Sequence, residues 1–332
     1  RNPQKCAVDP LAEPVDTFFR ADYIIAKFTL QGLFKHDCLH LDKAYINGAQ
    51  MNLVIEDKVD EGDGDTQIDN LSRIFRLKKK AEPTYNEKEI FHIKDVQIID
   101  MGFAMKDYGS NQTPYHGGMN WNDLDVTSID LKARDLMFKG GIMTGELGEL
   151  SFREKSGFEC SSLTGKAKVG NGRTIVEDLK LKDEWSDIDI PLYMMSYDSV
   201  KDFSDYIDKV KMDGIIARSM VDFRTISYFA PQLSDNKLRV LAEGRMEGVV
   251  RDLHFYNISA ISQAGGFSGI VNGSLTGLPD IDNTRINATV RNFHLTTDGL
   301  GRFVSEWMKG GRLDLSRFAK GTVFNVDASA KG

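Results

Sequence analysis

Six histidines, three cysteines and a large set of carboxylates are the residues through which this chain could do chemistry. Spacing brings few of them together. His36, Cys38 and His40 form H-x-C-x-H, which places all three on one face of an extended strand. These are zinc-binding residue types, but a structural zinc takes four protein ligands and no fourth is adjacent. The acidic run Asp57–Asp65 (DKVDEGDGD) has the composition of a calcium loop without its D-x-D-x-D-G spacing, and reads as a solvated loop. Gly170-Asn171-Gly172 lacks the Lys-Ser/Thr of a phosphate loop and reads as a hairpin turn. No G-x-S-x-G occurs, and nothing selects Asp187 and Asp189 as a glycosidase pair. Trp121, Trp185 and Tyr115 offer rings for stacking, while Trp307 falls on a helical apolar face. No catalytic residue, metal or cofactor is assigned, and the chain reads as non-enzymatic.

The elements that would position any site are mostly strands. Ile24, Ala26, Phe28 and Leu30 alternate with more polar residues, as do Leu238, Val240 and Ala242, and Phe267 through Leu275. Period-two alternation marks strands with one apolar face. Composition agrees. The chain of 332 residues has 30 Gly and 8 Pro, and proline is excluded from the interior of paired strands because it donates no ladder bond. Hydrophobic residues at 41% and charged residues at 27% exclude a disordered chain. A net charge of −7 argues against nucleic acid as the main partner. Cys6, Cys38 and Cys160 are too few and too scattered for a disulfide framework. No run of 18 apolar residues is present. Arg1 and the run Ala328–Gly332 are expected to be ends of a piece of a longer polypeptide.

Helical spacing is scarce. Ile68, Leu71, Ile74 and Phe75, followed by Lys78–Lys80, predict a short helix near 66–80. Val200, Phe203, Tyr206, Ile207 and Val210 predict one near 199–210. Leu300, Phe303, Val304 and Trp307 predict one near 300–309, stopped by Gly310-Gly311. A further turn covers Ile226–Phe229 before Pro231.

One unit recurs: apolar, any, apolar, two polar, apolar, any, apolar. It fits Leu39/Leu41/Ala44/Ile46, Phe91/Ile93/Val96/Ile98, Leu124/Val126/Ile129/Leu131 and Ala288/Val290/Phe293/Leu295. Weaker copies start at Thr174 and Gly248. The stretch Leu39–Leu53 lines up with Phe91–Met105 throughout, His40 on His92 included. Apolar steps of two, three and two are strand alternation with one inserted residue, as a β-bulge gives. The intervals between copies vary, which argues against a regular solenoid. Strands this numerous must bury one apolar face. The helices are too few to cover it. Two facing sheets, a sheet curled on itself, or a groove lined for a non-protein ligand are the three solutions.

Over most of its length the chain resembles the AsmA/TamB superfamily, and within it the long TamB-like proteins of Bacteroidetes. The resemblance is carried by Tyr23–Ile55, Tyr115–Gly141, Leu150–Phe158, Gly170–Asp183, Arg224–Pro231, Ser268–Ile281 and Thr296–Trp307. It implies a periplasmic portion of an inner-membrane-anchored envelope protein, with the anchor outside this stretch. It also implies an apolar half-pipe that carries phospholipid acyl chains toward the outer membrane. Some family members work with an outer-membrane barrel partner, which here would be met by regions outside this chain.

The expected fold is therefore mainly β: an elongated, coiled antiparallel β-sheet forming a half-pipe groove, with a few short helices. Residues 1–20 form an extended lead-in, 21–190 a first groove segment and 191–332 its continuation. Expected groove residues are Leu41, Ala44, Ile46, Met51, Leu53, Ile93, Val96, Ile98, Phe103, Val126, Ile129, Leu131, Val290, Phe293 and Leu295. The rival expectation is a β-sandwich module that binds protein or glycan through the turn-rich loop 108–122.

Overall fold

The computed structural model describes residues 18–28, 38–59, 66–69, 89–108, 118–234, 237–263, 266–278, 280, 283–299, 301 and 322–331. The strands are β1 (Phe19–Arg20), β2 (Tyr23–Lys27), β3 (Leu39–Asn47), β4 (Gln50–Val59), β5 (Thr66–Asp69) and β6 (Glu89–Asp107). They continue as β7 (Asp123–Lys139), β8 (Ile142–Glu154), β9 (Glu159–Gly170), β10 (Arg173–Asp183), β11 (Asp187–Ser196) and β12 (Lys211–Asp222). The last are β13 (Arg239–Val249), β14 (Asp252–Ser262), β15 (Phe267–Thr276), β16 (Arg285–Thr296) and β17 (Val323–Lys331). A 3₁₀ turn (Val200–Asp205) runs into α1 (Tyr206–Lys209), and α2 (Phe223–Ser227) is followed by a second 3₁₀ turn (Pro231–Leu233).

All the strands belong to one sheet, coiled into an open half-pipe that does not close into a barrel. From β6 to β17 each strand pairs antiparallel with the next. The N-terminal end differs. β3 and β4 lie end to end along β6 and run parallel to it, with Leu39 facing Phe91, Asn47 facing Ile99, Gln50 facing Gly102 and Ile55 facing Asp107. The sequence repeat is this register, like residue beside like residue. The sheet is thus mixed, which corrects the all-antiparallel expectation. A parallel neighbour needs a crossover of a dozen or more residues, and the stretch between β4 and β6 is long enough to supply it.

Three other expectations change. Thr66–Asp69 pairs as a strand with β4 instead of opening a helix, because the free edge of β4 offers ladder partners that a lone helical turn cannot match; residues 70–80 lie outside the described residues. β4 also runs through Val59, so Asp57 belongs to a strand and not to the acidic loop. The 190/191 division falls inside β11, which pairs with β10 on one side and with β12 on the other, the β12 pairing running from Asp187 and resuming at Leu192, and Phe19–Arg20 of the lead-in already pairs with β4. The helix near 199–210 is present, with 3₁₀ geometry in its first half. Of the one near 300–309, only its first turn from Thr297 lies within the described residues.

The inserted residues have a consistent geometry. Asp100, Ser128, Asp135, Asp178, Asn257 and Asn292 stand in the left-handed region, with φ between 49° and 54°. Short polar side chains tolerate that region best after glycine. Register shifts accompany them between Ile98 and Met101, Thr127 and Asp130, Arg134 and Met137, Glu177 and Lys180, Phe255 and Ile258, and Val290 and Phe293. Thr127-Ser128, Glu177-Asp178 and Arg291-Asn292 are therefore bulges, as the recurring unit predicts. Asp42-Lys43 and Lys94-Asp95 sit level with Arg134-Asp135 on adjacent strands. All three strands carry the extra residue at one level, so the shift shows only against β8. The weak copy at Arg251-Asp252 is instead the turn into β14.

A bulge withdraws one N–H from the ladder, and a neighbouring side chain receives it. Asp130 Oδ1 accepts from Asp100 N at 2.9 Å, Asn272 Oδ1 from Asn257 N at 2.8 Å, and Asp327 Oδ1 from Asn292 N at 2.8 Å. Asp130→Ala should lower stability by about 1 kcal/mol, the usual net worth of one such bond. A urea midpoint shifted down at constant slope is the expected reading; an unshifted midpoint would show that water replaces the carboxylate without loss.

Candidate functional site

Residues opposite each other in a ladder point to the same side of the sheet. Following those pairs from β3 gives Leu41, Ile93 and Leu136, whose side chain lies over Gly145. The row continues through Ala167, Val176, Tyr193, Gly214, Met246, Phe255, Gly273 and Ala288. It crosses from β3 to β16 without a charged residue. Strand glycines in it are covered by larger neighbours: a Cβ on Gly214 would lie 3.3 Å from the Tyr193 ring and 3.5 Å from Met246.

The opposite face is charged. Lys43, Asp95, Arg134, Glu146, Lys166 and Glu177 stand opposite one another on six successive strand positions across the sheet, alternating in sign. Arg134 and Glu146 are 2.7 Å apart, and Lys132 and Glu149 are also 2.7 Å apart. Such exposed pairs add little stability individually. Their alternation matters for register, because a slip would place like charges together and turn the apolar set outward.

The bulges keep the two faces separate. Ala44, Val96, Ala133 and Leu147 are mutually opposite, and Leu147 alternates normally with Gly145 on β8. Leu41 and Ala44 therefore share the apolar face although three positions apart. Ile46, Ile98 and Leu131 form the next row. Met51 and Val126 both face Phe103, Leu53 faces Met105 and Ile129 faces Met101. Val290 faces Val271, Leu295 faces Phe267, and Phe293 lies over Gly269. Every expected groove residue thus lies on this one face. All are half-buried except Leu295, which is buried. A facing sheet would bury them fully, as in a sandwich interior; among the described residues no second sheet covers this face. Sequence reading missed Leu136, Phe138, Leu147, Val176, Tyr193, Met246 and Phe255. Val176 and Phe255 belong to the weaker copies of the recurring unit and Leu136 and Phe138 extend its third copy, while Leu147, Tyr193 and Met246 follow no copy and are placed by the register alone.

Two helical segments fold onto the apolar face from opposite strand ends. The first holds α1. Its Tyr206 hydroxyl lies 3.3 Å from the Tyr193 hydroxyl and donates to Met212 Sδ at 3.1 Å, and Val210 and Met212 are buried. Burial pushes the Tyr193 phenol well above its ordinary range, with the Tyr206 hydroxyl adding to the effect. Asp202 starts the segment by accepting N–H bonds from Asp198 and Ser199, and the Ser199 bond is the main reason its carboxyl is held low.

The second segment runs from β12 through α2 to Leu233. Asp222, fully buried, accepts from Arg224 N at 2.9 Å and holds the Arg224 guanidinium through both oxygens. That guanidinium stacks 3.5 Å over the Trp185 ring. Thr225 donates to Asp183 at 2.6 Å, and Asp183 also receives Trp185 N and Ser186 N. Tyr228 then reaches Gly157 O at 3.1 Å, and its own carbonyl receives Met119 N at 2.7 Å. Tyr228 and Phe229 pack edge-on against buried Phe158, and Phe229 stacks on Trp121. At the described end of loop 108–122, Met119 is buried beneath this strap while Trp121 stays exposed beside Phe229. Met119, Phe158 and Cys160 form the buried cluster, and burial pushes the Cys160 thiol up to about 11.

Asp187 and Asp189 sit on the charged face near Lys182 and Lys180. No helix among the described residues is long and apolar enough to cross a membrane. No family model, curated protein or solved structure matches this chain.

Proposed function

We propose that this chain is a non-enzymatic segment of a TamB/AsmA-like periplasmic bridge that carries phospholipid acyl chains along its apolar face. The observation that carries the reading is the unbroken apolar row from Leu41 to Ala288, half-open to solvent and backed by a charged outer face. An acyl chain needs apolar contact alone, at about 0.8 kcal/mol per buried CH₂. A row without a closed pocket holds such a chain without fixing it at one place, which suits passage. Headgroups would stay in water at the open mouth of the half-pipe.

Native mass spectrometry of the chain purified from a bacterial envelope without added lipid tests this. Phospholipid-sized adducts of mixed acyl length are expected, released by organic extraction. A chain that carries no adducts and takes up none from phospholipid vesicles is not a lipid carrier.

A further inference from the structure

The start of the parallel β3–β6 ladder gathers three metal-binding side chains. Cys38 and His40 come from the beginning of β3, and Glu89 opens β6. One ligand atom from each lies within 4.8 Å of the other two. His40 Nε2 stands 3.1 Å from Glu89 Oε1, yet no hydrogen bond reaches that buried oxygen. The His40–Glu89 pair thus converges with the Cys38 thiol on one point at the head of the ladder. His92 lies directly opposite His40 in register, with ring centroids 5.7 Å apart, and its Nε2 is 3.3 Å from Asp135. H-x-C-x-H supplies two of the three groups, and Glu89 is visible only once β3 and β6 are paired; His36 lies outside the described residues.

We propose that Cys38, His40 and Glu89 form a zinc-binding site that staples the first residues of β3 to β6. Zinc bonds of about 2.0–2.3 Å require the donors to close by roughly an ångström, within reach of side-chain rotation. Sulfur, imidazole and carboxylate together suit zinc over calcium or magnesium, which take oxygen donors. A water completes the coordination, or His92 by a ring rotation. Zinc takes the thiolate, so binding releases the Cys38 proton to the buffer. The parallel ladder is slightly weaker per residue than the antiparallel one, and this is the place where a cross-link between the two strands helps most.

The test uses the full reduced chain with zinc or cobalt(II) chloride as the probe. One equivalent of metal should bind, and cobalt(II) should give a near-ultraviolet thiolate-to-metal charge-transfer band. Cys38→Ser should abolish the band. His40→Ala and Glu89→Gln should each weaken zinc binding by about tenfold or more, while Cys160→Ser leaves it unchanged. Glu89→Gln is isosteric, so its loss of affinity cannot be put down to misfolding when circular dichroism is unaltered. Absence of stoichiometric binding, or a band and affinity indifferent to Cys38→Ser or to Glu89→Gln, overturns the site.

Discussion

Ile98→Asp is expected to remove most of the phospholipid that travels with the chain while leaving it folded. Ile98 lies mid-strand on the apolar face, between Ile46 on β3 and Leu131 on β7. A carboxylate there has only Ile46 and Leu131 opposite it among the described residues, so an acyl chain must leave contact to pass it. Three CH₂ groups out of contact cost about 2.4 kcal/mol, roughly fifty-fold in occupancy. Folding should suffer much less, because Ile98 is only half-buried and its new charge keeps access to water. Gln97→Asp is the matched control. Gln97 faces Lys132 on the charged side, one residue away, so the same new charge should leave lipid unchanged. Equal lipid content in Ile98→Asp and Gln97→Asp would remove the distinction between the faces on which the proposed function depends.

The second large effect concerns the strap. Phe158→Ala should destabilise the protein by about 3–5 kcal/mol, the usual cost of emptying a buried aromatic site. Phe158 is 2% exposed and touches Phe152 from the sheet and Tyr228 and Phe229 from the strap. Few described side chains are as deeply buried, so little else compensates. Amide exchange should show the loss locally: protection at Met119 and Tyr228 should fall first, and protection across β14–β16 should change little. A uniform loss of protection over the whole sheet would instead make Phe158 part of one global core.

Much of this architecture is written in local pattern. The repeat of Leu39–Leu53 on Phe91–Met105 is visible because in-register parallel neighbours see the same environment at each step, so selection on packing favours the same residue type twice. Ser128, Asp178 and Asn292 are legible as bulges because the extra residue must be small and polar to sit at positive φ and the apolar phase must resume after it. Other features rest on distant partners. The parallel sense of β3 on β6 is hidden, since alternation looks identical in either direction. Thr66–Asp69 follows the free edge of β4, which local spacing does not record. Tyr193 on β11 and Met246 on β13 follow no copy of the recurring unit, so they join the apolar row through register alone. Tyr228 meets Gly157 across 71 residues of chain, and Glu89 meets Cys38 only through strand pairing; neither contact leaves a sequence signature.

The central claim is that one face of the sheet meets lipid and the other does not. Photoreactive residues placed at Ile98, Leu131 and Val290, and at their neighbours Gln97, Lys132 and Thr289, test it position by position in a chain expressed in a bacterial envelope. After irradiation and proteolysis, phospholipid-derived masses should appear on peptides carrying the first three substitutions and be absent from those carrying the second three. Adducts of equal yield on both sets, or on neither, would contradict it.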